Sequence, residues 1–201
     1  MKIALSALVL AAAAGAANAS IFFETEGNNT MGTSNFVGVF GAPGEGILID
    51  GSITPGTTSP AGGVGTAGDV DWFSFTVTGN TTMVASIFAI INNGTGSPDS
   101  QLLLTNSAGT ILAFDEDSNV GLMSSLDTIT LAPGTYYVGV TGFDDTANGT
   151  VLPDGFTGTG QTSGHTENWT YKLIIGLNIV PTPGAAALLG LGGLVAGRRR
   201  R

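Results

Sequence analysis

The sequence predicts an all-β domain in which two sheets pack face to face. Three observations carry that prediction. Apolar residues recur at every second position, helical periodicity is absent, and Gly, Pro, Asn and Asp interrupt the alternation at short intervals. Eight or more strands in a block of about 160 residues need two layers to bury their apolar faces.

Residues 36–40 and 46–53 open the series of strands. Phe73, Phe75 and Val77 then alternate with Ser74 and Thr76, and 83–91 follows the Gly79-Asn80 turn, so this pair reads as a hairpin. Residues 102–105 and 110–114 flank Asn106-Ser107-Ala108-Gly109, a second hairpin in which Gly109 is free to take positive φ. Residues 126–131 and 136–141 flank Ala132-Pro133-Gly134-Thr135, a third, with Pro133 and Gly134 suited to the centre of a type II turn. The clearest strand is 169–179: Trp169, Tyr171, Leu173, Ile175, Leu177 and Ile179 share one face, and Thr170, Lys172 and Asn178 occupy the other. The Gly/Thr/Ser-rich stretches 51–68 and 155–164 read as surface loops. The aromatic residues, among them Trp72, Phe88, Phe114 and Tyr137, read as core filling, with a carbohydrate-stacking platform as the alternative.

Both ends read as addresses. Residues 1–19 combine Lys2, an apolar run and the triplet Ala17-Asn18-Ala19, the pattern of a secretory signal peptide cut before Ser20. At the other end Pro181, Thr182 and Pro183 precede the 14 apolar and glycine residues 184–197 and then Arg198, Arg199, Arg200 and Arg201. As a helix the apolar stretch measures about 21 Å against a hydrocarbon core of about 30 Å, short for a span and suited to transient membrane association. Residues 181–201 resemble the PEP-CTERM sorting tail of Gram-negative and related bacteria, which pairs a Pro-x-Pro-like motif with a short hydrophobic helix and an arginine cluster. The resemblance implies an exosortase-like sorting enzyme as partner and a destination that is secreted or at the cell surface. Thr182-Pro183 stands where the commonest form has Glu-Pro.

The block between, residues 20–180, holds fifteen carboxylates against one basic side chain, Lys172, a formal charge of −14. Phosphate binding needs a basic surface, so nucleic acid is excluded as a partner. With no Cys there is no disulfide, thiolate nucleophile or thiolate-held metal, and one His, His165, rules out a multi-histidine metal site.

Residues 68–140 carry a second resemblance. Gly68-Asp69-Val70-Asp71-Trp72-Phe73, then Leu102-Leu103-Leu104 with Ser107-Ala108-Gly109-Thr110 and Phe114-Asp115-Glu116-Asp117, then Ala132-Pro133-Gly134-Thr135-Tyr136-Tyr137-Val138 follow one another in order. They resemble the bacterial pre-peptidase C-terminal domain, and Glu24, Glu26, Asn28 and Asn29 loosely echo that family's acidic opening. The resemblance implies a jelly-roll-like β-sandwich associated with secretion, with substrate or matrix binding and, in some members, with calcium.

Asp115-x-Asp117-x-Asn119, with Glu116, concentrates oxygen donors at a strand end, and alternating oxygens suit a hard cation that takes 6–8 ligands. Val120 and Leu126 stand where an EF-hand has its glycine and bidentate Glu, so that loop is not predicted. Two readings follow: a calcium site joining Asp115, Asp117 and Asn119 to Asp69 and Asp71, or a solvated acidic turn. Asp144 and Asp145 form a lesser acidic pair. No G-x-S-x-G or H-E-x-x-H motif is present, and His165 reads as a non-catalytic loop residue. The asparagines of the N-x-S/T triplets read as turn and strand residues.

The chain is thus expected to be a non-enzymatic, exported surface or matrix module whose retention on an exopolysaccharide or surface matrix depends on calcium. A carbohydrate-binding module, or an accessory component of a secreted hydrolase system, is the alternative.

Overall fold

The computed structural model describes residues 19–55, 69–93, 98–143, 155–157, 160–162 and 167–179. In chain order the strands are β1 (Ala19–Phe23), β2 (Asn35–Phe40), β3 (Pro43–Ile53), β4 (Val70–Val77), β5 (Thr81–Asn92), β6 (Ser100–Asn106), β7 (Ile111–Asp115), β8 (Ser125–Leu131), β9 (Gly134–Gly142), β10 (Gly155–Thr157), β11 (Gly160–Thr162) and β12 (Trp169–Ile179). Sheet I has the order β1-β3-β12-β5-β8 and sheet II the order β2-β4-β9-β6-β7, while β10 and β11 pair as a ribbon. Neighbours are antiparallel except β1 with β3 and β2 with β4.

The alternation in β12 becomes its burial: Trp169, Tyr171, Leu173, Ile175, Leu177 and Ile179 are buried, and the residues between them are not. This strand lies at the middle of sheet I and meets Ile47, Ile49 and Ile53 of β3 and Met83, Ala85 and Ile87 of β5 on the same face. Phe73, Phe75, Leu102, Leu104, Val138 and Val140 close the core from sheet II. The two-sheet, all-β reading is therefore correct. Trp72 points the other way from Phe73, yet both are fully buried. On the outer face of sheet II, Trp72, Val70 and Leu103 make a second cluster, roofed by Met31 from the segment before β2 and by Tyr137, Phe114 and Ile111.

Two of the three predicted hairpins are not hairpins. β4 lies in sheet II and β5 in sheet I, and β8 and β9 are divided likewise. Between Val77 and Thr81, and between Leu131 and Gly134, the chain crosses from one layer to the other. Three or four steps reach at least about 10 Å, the distance between stacked sheets, so a short turn serves the crossing as well as it serves a neighbouring strand at about 4.8 Å. Gly134 accordingly starts a strand without positive φ, and no type II turn forms there. The β6–β7 pair is a hairpin, with Gly109 at φ 78° and the Asn106 side chain accepting the N–H groups of Ala108 and Thr110.

The sequence does not predict β1. Its first partner is Gly46 of β3, and its exposed Ile21 and Phe23 blur the inside-out alternation at a sheet edge. The stretch 51–68 is not wholly loop, since β3 continues to Ile53, and 155–164 contains β10 and β11. Their pairing uses backbone groups that glycine supplies as well as any residue. Among the described residues no helix is long and apolar enough to cross a membrane. The signal peptide up to residue 18, Asp144, Asp145, His165 and the tail 181–201 lie outside the described residues.

Candidate cation site

At one end of the sandwich the chain leaving β1 runs beside β4. The Glu24 amide donates to the Asp50 carbonyl (3.0 Å), which prolongs the β1–β3 pairing, and the Trp72 amide donates to the Asn28 carbonyl (3.0 Å). These two bonds hold residues 24–28 against β4. Asp71 shares the inward face of β4 with Phe73 and Phe75, because side chains two apart on a strand point the same way. It therefore projects between the sheets, toward β12.

One carboxylate oxygen from each of Glu24, Glu26 and Asp71 lies within 4.8 Å of the other two. Asp71 is fully buried, and its Oδ2 accepts the hydroxyl of the equally buried Tyr171 at 2.7 Å. Its Oδ1 receives no donor, and the Asp71 carboxyl is in hydrogen-bonding contact with that of Glu24. Glu24 is held from two sides, Oε1 by the Asn28 side-chain amide (2.9 Å) and Oε2 by the Ser52 amide (2.8 Å). Asn28 is also fully buried, and its Oδ1 too lacks a partner. The exposed Glu26 receives only a 3.4 Å bond from the Ser52 hydroxyl. Asp69 closes the approach from the loop side, accepting the Thr54 amide (3.2 Å) and hydroxyl (3.0 Å).

Gly51 makes the arrangement sterically possible. It faces Tyr171 across the β3–β12 ladder, and a Cβ at this position would stand 2.5 Å from the Tyr171 hydroxyl oxygen and 2.8 Å from Glu24 Oε2. No other residue admits both.

The electrostatics follow from this geometry. Burial first, then the shared hydrogen-bonding contact with Glu24 and the charges of Glu24 and Asp69, push the Asp71 carboxyl well above the usual range, against the Tyr171 bond, which lowers it. Burial, then Asp69 and Glu24, raise Glu26. The Tyr171 hydroxyl is pushed well up by burial and by the Asp71 charge. No base offsets these carboxylates. Lys172 is the one basic side chain among the described residues, and it is 2.7 Å from Asp50 in an ion pair.

Buried oxygens are nearly always hydrogen-bonded, so two orphans, Asp71 Oδ1 and Asn28 Oδ1, beside three acidic groups are unusual. A set of carboxylate oxygens from Glu24, Glu26 and Asp71 is the donor chemistry that a hard divalent cation takes, and Asn28 is bonded to it through Glu24.

The sequence-predicted residues divide. Asp71 belongs to this cluster and Asp69 borders it. Asp115 does not join them. Asp71, Val140, Leu102 and Asp115 stand opposite one another across β4, β9, β6 and β7, so three strand spacings, about 14 Å, separate the two aspartates. Asp115 Oδ2 instead accepts the amides of Ser125 (2.8 Å) and Ser118 (3.1 Å). The Asn119 side chain donates to the Ile87 carbonyl (2.9 Å) and accepts the Val120 amide (2.8 Å), and Asp117 and Glu116 are exposed. Glu24, Glu26 and Asn28 were missed as ligands. Their alternation is the same signal that drew attention to 115–119.

Residues 69–142 match the model of the bacterial pre-peptidase C-terminal domain. The matched segment runs from Asp69 through β9, so it contains Asp71 and leaves Glu24, Glu26 and Asn28 outside. Such domains are non-catalytic modules. The comparison with curated proteins gave no match. Among solved structures, the pre-peptidase C-terminal domain of collagenase from Bacillus anthracis is 15% identical, over 71% of this chain and 95% of that one, with a TM-score of 0.40. PliG of Aeromonas hydrophila, a periplasmic inhibitor of g-type lysozyme, is 12% identical over 79% of this chain and 100% of that one (TM-score 0.39). PliG of Salmonella Typhimurium is 17% identical over 72% and 99% (TM-score 0.37).

Proposed function

We propose that the chain is an exported, non-catalytic binding module of the cell surface or extracellular matrix, whose β1 segment is tied to the sandwich by a calcium ion at Glu24, Glu26, Asp71 and Asn28. One observation carries the cation: the fully buried Asp71, whose Oδ1 receives no donor, is packed against two further carboxylates. Without a counter-ion, burial beside Glu24 favours the protonated Asp71 carboxyl, and a divalent ion lets it ionise while binding two chain segments at once. Calorimetric titration of the full-length chain with calcium tests it. Saturable heat with a rise in Tm is expected, and neither at millimolar calcium would end the cation reading.

Export rests on the sequence. A cut before Ser20 removes only Ala19 from β1, a single pairing with Gly46, so the processed chain keeps its edge strand. The tail with Pro181, Thr182, Pro183 and Arg198 to Arg201 would be handled by an exosortase-like enzyme after transient membrane association. Mass spectrometry of the surface-released protein should find an N-terminus at Ser20 and a C-terminus before Arg198; both ends intact in the cytoplasm would contradict it. With −14 on the body, an anionic matrix polysaccharide is reached only through bridging divalent ions.

A further inference from the structure

The outer face of sheet I has two features that the cation site does not use. Residues directly opposite on paired strands project from the same face. Phe23, Asp50, Lys172 and Phe88 form one such row across β1, β3, β12 and β5, on the side away from the core. Phe23 is 70% and Phe88 44% exposed, about 14 Å apart at three strand spacings. Between them Lys172 and Asp50 neutralise each other at 2.7 Å. Two rows further along, a trough of about 300 Å³ opens beside Gly176. Gly44, Gly176, Val84, Thr82, Thr128 and Asn178 line it. Glu45 at its rim is engaged by the amides of Gly41 (2.6 Å) and Ala42 (2.8 Å). Exposed Ile174 and Ile21 join the trough to the ring row.

We propose that this face binds a neutral polysaccharide chain laid across the strands. The inference rests on the module being a surface or matrix binder, and supplies the ligand class and the face. A pyranose ring presents C–H faces that lie on aromatic and aliphatic side chains, and equatorial hydroxyls that pair with hydroxyls and amides. Phe23, Phe88, Ile174 and Val84 supply the first kind of contact; Thr82, Thr128 and Asn178 supply the second. Among the described residues a polyanion meets no free base here, it approaches a body of −14, and a second copy of the body brings the same repulsion. An uncharged sugar polymer meets neither obstacle.

Affinity gel electrophoresis of the full-length chain in hydroxyethylcellulose, galactomannan and dextran, with alginate as the anionic polymer, tests the proposal. At least one neutral polymer should retard the chain and alginate without calcium should not. The double variant Phe23→Ala/Phe88→Ala should lose affinity at least tenfold, while Phe36→Ala, an exposed ring on sheet II, stays within twofold. Phe88→Ala alone should weaken retardation and keep its calcium-induced rise in Tm, which shows that the fold and the cation site persist. Retardation by no neutral polymer, an unaffected double variant, or self-association that the double variant abolishes would each overturn it. Retardation by a neutral polymer in a chain that fails to bind calcium removes the cation reading and supports this one.

Discussion

The two acidic regions of the molecule share a spacing and differ in what their oxygens do. Glu24-x-Glu26-x-Asn28 and Asp115-x-Asp117-x-Asn119 are the same pattern in the sequence. In the first, the side chains converge on buried Asp71, and oxygens are left without donors. In the second, Asp115 and Asn119 satisfy backbone groups of their own loop, of the start of β8 and of Ile87 in β5, and Asp117 faces water. An alternation of oxygens therefore does not define a cation site. Convergence from a second segment and unmet hydrogen-bonding capacity do.

The largest expected effect contrasts the two regions directly. Calcium at 1,000 times its Kd should stabilise the native chain by about 4 kcal/mol, and Asp71→Asn should abolish that gain while Asp117→Ala keeps it whole. Melting curves with and without calcium check this. Gly51→Ala comes next. The added methyl displaces Tyr171 or Glu24, and a cost of about 1–3 kcal/mol is expected in chemical denaturation, together with weakened calcium binding. Asp115→Ala leaves the Ser125 and Ser118 amides without their acceptor and should cost about 1–2 kcal/mol, equally with and without calcium. A calcium-dependent cost at Asp115 would erase the distinction between the regions. Asp117→Ala, on an exposed side chain, should change stability by less than about 0.5 kcal/mol.

Strands are legible in this sequence where one face is buried, and their pairing is not. β12 was readable to the residue because six alternate positions are apolar and fully used. β8 and β9 were readable as strands but mispaired, because the Pro133-Gly134 connection is as long as the gap between layers. β1 escaped notice because its apolar residues face out at an edge. At the site, Asp69 and Asp71 stand in the motif that carries the pre-peptidase C-terminal resemblance. Glu24 and Glu26 stand outside it, and only the parallel docking of β1 on β3 brings them to β4, a contact across more than forty residues of chain.

Proton linkage tests the central claim, a buried acidic cluster that needs a cation, most directly. In the calcium-free chain the raised Asp71 and Glu26 carboxyls hold protons that the unfolded chain releases from about pH 4 upward, so stability falls as pH rises through that window. Glu167, raised by burial, adds the same sign without depending on calcium. Calcium selects the deprotonated cluster and reverses the trend. The measurement is Tm at pH 5 and pH 7.5, with calcium and with chelator, for the native chain and Asp71→Asn. The account predicts a native chain more stable at pH 5 under chelator and more stable at pH 7.5 in calcium, with the difference between the two conditions lost in Asp71→Asn; the same pH dependence in calcium and chelator would contradict it.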